Sequence, residues 1–135
     1  ADFGYMGTRF IPTVESMAPD AYKQMLVDSS VEDIVVSAGI TGTAASWLKA
    51  SLRANGLDPD NMPAAPSRNY DSNQAIGAKK WKDVWAAGQG VGAVKNIEPV
   101  AVVVERLRAE YRSACQRLAR LPQPAAHSKE VSLAA

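Results

Sequence analysis

The chain has 135 residues, of which 47% are hydrophobic and 21% charged, an ordinary balance for one soluble globular domain burying roughly two thirds of its unfolded surface. Its formal net charge of +1 is too small to argue for a nucleic-acid or anionic-membrane partner, and no apolar run approaches the length of a membrane span. One cysteine, Cys115, and one histidine, His127, exclude an internal disulfide and leave no zinc-ligand set, a usage that suits a reducing, cytoplasmic setting.

The chain opens A-D-F-G-Y-M-G-T-R-F. Phe3 to Met6 read as a short buried strand, and Gly7-Thr8 as its exit turn. Residues 19–29 read as a helix, with Pro19 at its first position and Tyr22, Met25, Leu26 and Ser29 on one face. Residues 33–37, D-I-V-V-S, are β-branched and short, as in a strand. Gly39-Ile40-Thr41-Gly42 breaks it. The spacing of Trp47, Leu48 and Leu52 then predicts a helix over 44–55 that stops at Asn55-Gly56.

From 57 to 71 the chain is rich in Pro, Asn and Asp and reads as a loop, long enough to point to function or disorder. Residues 73–86 read as a further helix, with Ile76, Trp81, Val84 and Trp85 as packing positions, ending at A-G-Q-G-V-G. The longest helical pattern covers 99–121. Val100, Val103, Val104, Leu107, Tyr111, Cys115 and Leu118 form its stripe, and Arg106, Arg108, Glu110, Arg112 and Arg117 lie off it. The tail, 122–135, has no sustained pattern and is expected to be disordered. Several helices and two short strands cannot close a sheet core, so strands from elsewhere are implied.

Candidate chemistry is sparse. His127 sits in the tail, so no Ser-His or Cys-His pair is expected, and Cys115 on an apolar stripe reads as a buried structural thiol. The arginines of the last helix alternate with Glu105 and Glu110, as on a solvated face. Trp81 and Trp85 share one side of a helix; core packing is the first reading, a cofactor-pocket wall the second. Gly88-Gln89-Gly90-Val91-Gly92 lacks the strand-turn-helix frame and the spacing of a dinucleotide fingerprint, and reads as a turn. The opening strand and turn differ. Gly7 lets backbone approach a bound group, and in a parallel barrel a phosphate often sits at the loops after the last two strands.

Y-M-G-T-R-F, followed at long range by D-V-W-A-A-G-Q-G-V-G and a long helix, resembles the C-terminal part of the nitronate monooxygenases, flavin-dependent TIM-barrel enzymes. The likeness covers most of residues 1–120, including D-I-V-V and the A-S-W-L-K segment with its L-D-P-D loop. FMN-dependent enoyl-acyl-carrier-protein reductases and NADH:quinone reductases of the wider superfamily share the Gly-Thr-Arg-Phe signature. The resemblance implies an α/β chain that is the end of an FMN-binding barrel: residues 1–17 as last strand and phosphate-binding turn, 18–121 as a mainly helical C-terminal region with one short strand, and 122–135 as the tail. Tyr5, Met6, Gly7 and Thr8 would line the FMN phosphate site, where convergent backbone amides suit a dianion. Arg9 could add charge there or pair with an acidic side chain. Ala86, Gly88, Gln89 and Gly90 would wall the substrate side, and many members have serine in place of Ala86.

The implied activity is oxidation of alkyl nitronates or nitroalkanes by O₂ to a carbonyl compound and nitrite. The alternatives are NAD(P)H-dependent reduction of an enoyl thioester or quinone, and a non-enzymatic helical interaction protein. A whole barrel needs about 250 residues, and the family's catalytic histidine belongs to a part not represented here. No catalytic residue and no metal ligand are therefore expected in this chain, which by itself should be inactive and bind FMN weakly or not at all.

Overall fold

The structure is a computed structural model and describes residues 3–65 and 83–121. Most of the expected helix over 73–86, including Ile76 and Trp81, part of the loop over 57–71, and the tail lie outside these residues. The chain divides into two compact units, Ala1–Val103 and Val104–Ala135.

The opening segment does not form the expected buried strand. Residues 3–6 carry no regular structure, and Phe3 and Tyr5 are 94% and 101% exposed. A strand exists through its ladder of bonds to a neighbour, and no described segment pairs with this one. A three-ten turn at Thr8–Phe10 follows. Helix α1, Asp20–Asp28, falls where the apolar spacing places it. Pro19 precedes its first turn as the cap residue and its carbonyl accepts the N–H groups of Tyr22 and Lys23. Leu26 is fully buried, with Tyr22 and Met25 packed beside the same cluster.

Strand β1, Ile34–Ser37, is entered through a tight turn. There Ser30 donates both its N–H and its hydroxyl to Asp33 Oδ2, each at 2.8 Å. The segment read as one helix over 44–55 divides in two: strand β2, Ala45–Leu48, and a short helix α2, Lys49–Ala54. β2 pairs antiparallel with β1, Ile34 opposite Leu48 and Ser37 opposite Ala45. Its other edge meets residues 85–87: Leu48 N–H donates to the Trp85 carbonyl, and Ala87 N–H to that of Ser46. The expected helix through residue 86 therefore gives way to extended chain, with Ala86 bridging Trp47.

Successive residues of a strand point to opposite faces, and β2 uses both. Leu48 enters a cluster with Leu26, Ala87, Val91 and Val94, while Trp47 enters another with Ile40, Leu52 and Val84. Both side chains are fully buried. α2 ends in a Schellman arrangement: Gly56 N–H donates to Arg53 and Leu57 N–H to Leu52, both at 3.0 Å. Gly56 has φ +73°, the left-handed conformation that glycine adopts at least cost. Leu57 packs beside Leu52, the hydrophobic contact usual for this motif.

Helix α3 runs Val100–Ala119. The Glu15 carboxylate accepts the Val100 N–H, supplying an acceptor and a negative charge where the helix dipole favours both. Val103 is the helix's buried side chain. Cys115, expected in a buried stripe, is exposed. Within its own unit the helix has no second described element to pack against. Arg108, Arg112 and Arg117 are exposed as expected, while Arg106 is half-buried; Arg108 is bonded to Glu105 at 2.8 Å with both side chains well exposed.

Candidate functional site

The two groups of expected site residues, some eighty positions apart in sequence, meet through one hydrogen bond. The Gly88 N–H donates to Thr8 Oγ1 at 2.8 Å. Thr8 is half-buried, opening the three-ten turn, and Gly88 immediately precedes a second such turn at Gln89–Ala93. Glycine suits position 88 on steric grounds, since a Cβ there would lie 3.3 Å from Thr8 Oγ1. At Gly7 and Gly90 a Cβ would meet nothing within 4 Å. Gly7 has φ −104°, open to any residue, so the chain's own packing demands glycine at neither position.

The second group rests on the core. Ala87 and Val91 are buried in the Leu26–Leu48 cluster, which fixes the segment on either side of Gly88. The Tyr22 hydroxyl donates to the Ala86 carbonyl, and the Tyr22 ring stacks on Trp85 with centroids 5.0 Å apart and planes 18° from parallel. Burial raises the Tyr22 pKa, partly offset by its bond to Ala86. Gln89 and Gly90 lie exposed on the turn. Tyr5 and Met6 are also exposed, on the segment leading into Gly7.

Arg9 is held by an acidic side chain. Its Nη2 lies 3.3 Å from Glu98 Oε1, and both side chains are largely buried, at 13% and 12% exposure. Glu98 is positioned by a parallel bridge to Thr13, with the Val14 N–H donating to the Glu98 carbonyl at 3.2 Å. Of the two roles open to Arg9 from sequence, the structure shows the ion pair. Sequence reasoning had singled out neither Glu98 nor the anchoring bond from Tyr22. Nothing marks Glu98 in the chain, whereas Tyr22 already lay on the α1 stripe.

The arrangement offers donors and no base. The Thr8 hydroxyl accepts from Gly88 and retains its proton, and the N–H groups of Gly7, Thr8 and Arg9 have no acceptor among the described residues. None of the eight expected site residues, Tyr5, Met6, Gly7, Thr8, Ala86, Gly88, Gln89 and Gly90, is a histidine, a carboxylate, a lysine or a cysteine. Such a set can bind anionic oxygen but cannot abstract a proton. A surface depression bounded by Gln24, Met25, Asp28 and Asp33 lies apart from all of them.

No protein-family model matches the chain, and no curated protein matches it. Solved structures do. FabK from Thermotoga maritima aligns with TM-score 0.55 and 22% identity over 84% of this chain. A methionine-to-alanine variant of that FabK aligns with TM-score 0.54 and 25% identity, again over 84%. The alignments cover 38% and 35% of the FabK chains, so this chain spans a little over a third of their length. The likeness shows a shared fold, agrees with the α/β architecture being a portion of a TIM barrel, and supports a relation to the flavin-enzyme superfamily reached from the sequence. Among the described residues no helix is long and apolar enough to cross a membrane.

Proposed function

We propose that this chain supplies the phosphate-binding turn and part of the substrate wall of an FMN-dependent oxidoreductase, and that the enzyme oxidises alkyl nitronates with O₂ to a carbonyl compound and nitrite. The observation that carries the reading is the Thr8–Gly88 hydrogen bond. It joins the turn expected to hold the phosphate to the segment expected to face the substrate. Bound FMN would supply the two-electron chemistry. The chain's own part is to bind and to shape. The Thr8 hydroxyl and neighbouring N–H groups suit a phosphate, and the open space at Gly7 and Gly90 leaves room for it. With Arg9 committed to Glu98, recognition falls to neutral donors.

The likeness to FabK favours a second reading, in which an FMN enzyme of the same superfamily reduces an enoyl thioester or a quinone with NAD(P)H. Oxygen uptake that depends on nitronate and proceeds without NAD(P)H, measured on the flavoprotein containing this segment, supports the first reading. Rapid NAD(P)H oxidation with an enoyl thioester or quinone, and no nitrite from nitronate, selects the second. Loss of bound FMN in the Thr8→Val variant tests the phosphate assignment under either.

A further inference from the structure

Past residue 103, helix α3 and the tighter turn that closes it, in which the Leu121 N–H donates to the Leu118 carbonyl, carry a narrower seam than the stripe read from its spacing. Val104, Leu107, Tyr111, Ala114, Leu118 and Leu121 recur at alternating intervals of three and four, the a/d repeat of a coiled coil. The seam opens toward its C-terminal end: Tyr111, Leu118 and Leu121 are 72%, 67% and 62% exposed, while Val104, Leu107 and Ala114 are half-buried. A contiguous apolar strip of this kind marks an interaction face.

We propose that this seam docks onto the same seam of a second copy of the chain, the two helices running antiparallel about the midpoint between residues 112 and 113. The register sets Val104 opposite Leu121, Leu107 opposite Leu118, and Tyr111 opposite Ala114. The bulkiest seam residue thus faces the smallest. A parallel pair would stack Tyr111 on Tyr111 and Ala114 on Ala114, crowding one layer and leaving a void in the next.

Charge selects the same orientation. The positions flanking the antiparallel seam bring Glu110 against Arg117 of the second copy, twice by the two-fold symmetry of an isologous contact. The parallel register would set Glu110 against Cys115 instead. Glu110 has no partner among the described residues, and Arg117 donates from Nη1 only to Ser113 Oγ, at 2.9 Å. Both charges are therefore available. Arg108 is already occupied by Glu105.

Sedimentation of the full chain should show a concentration-dependent monomer–dimer equilibrium. Glu110→Arg or Arg117→Glu alone should weaken dimerisation about tenfold, replacing two exposed attractions by repulsions, and the double exchange should restore it. Orientation is read in a Cys115→Ser background by oxidising an equal mixture of Tyr111→Cys chains and Ala114→Cys chains. The antiparallel seam gives mainly the mixed disulfide. A chain monomeric at every concentration, a dimer indifferent to the single reversals, a double exchange that fails to restore, or like-with-like disulfides would each overturn the proposal.

Discussion

Thr8 shows how much one hydroxyl can organise. It accepts from Gly88 across eighty residues of sequence, so Thr8→Val leaves that N–H without its partner and should cost about 1 kcal/mol, read as a lower urea midpoint. Thr8→Ser, which keeps the oxygen, should restore most of it. The Arg9–Glu98 pair lies deeper. Because both side chains are largely buried, Glu98→Ala strands a guanidinium, and the expected loss is roughly 1.5–3 kcal/mol, larger than for an exposed pair such as Arg108–Glu105. Asp33 sets an acid limit. The N–H of Ser30, and then its hydroxyl, hold the Asp33 carboxyl below its ordinary range. A lowered folded pKa stabilises the fold above the unfolded value and loses that contribution as pH falls through the folded one. Urea midpoints should therefore drop for the native chain below about pH 4, and Asp33→Asn should flatten the part of that slope owed to this carboxyl.

At the scale of elements, local pattern and tertiary pairing agree in some places and conflict in others. α1 and β1 fall where periodicity and β-branching put them: α1 presents one apolar face to one cluster, and the β-branched residues Ile34 and Val35 of β1 pack one against each cluster. Residues 45–48 do not. Alanine, serine, tryptophan and leucine tolerate a helix, but this stretch has β1 on one edge and residues 85–87 on the other, and that pairing outweighs a weak local preference. The spacing of Trp47, Leu48 and Leu52 correctly marked three buried side chains while misplacing the faces they bury. The same pairing ends the helix expected to reach residue 86. Gly39 offers a test at this scale. A Cβ there would lie 2.2 Å from the Pro63 carbonyl oxygen, a backbone atom. Gly39→Ala should force the loop after α2 away and destabilise the chain by about 1–3 kcal/mol, measured by thermal or urea unfolding.

For the whole molecule, the site is legible in outline and incomplete in substance. The eight residues expected from the family resemblance fall into two groups, joined through Thr8 and Gly88, while Tyr5 and Met6 stand exposed on an unpaired segment. A phosphate cradle needs donors converging from several sides, and those described here converge from one. FMN titration of the 135-residue chain, followed by quenching of flavin fluorescence, should accordingly show weak binding or none; tight stoichiometric binding would contradict this reading.

The sequence by itself determined the positions of α1, β1 and α3, the stop at Asn55-Gly56, and the superfamily that the FabK likeness supports. These rest on periodicity, on glycine's backbone freedom and on short motifs, all properties of neighbouring residues. Tertiary structure alone decided that β2 is a strand, that Arg9 pairs with Glu98, that Tyr22 anchors Ala86, and that Thr8 reaches Gly88. Each of these depends on a partner distant along the chain, and a hydrogen bond or ion pair between distant residues leaves no periodic trace in the sequence that makes it.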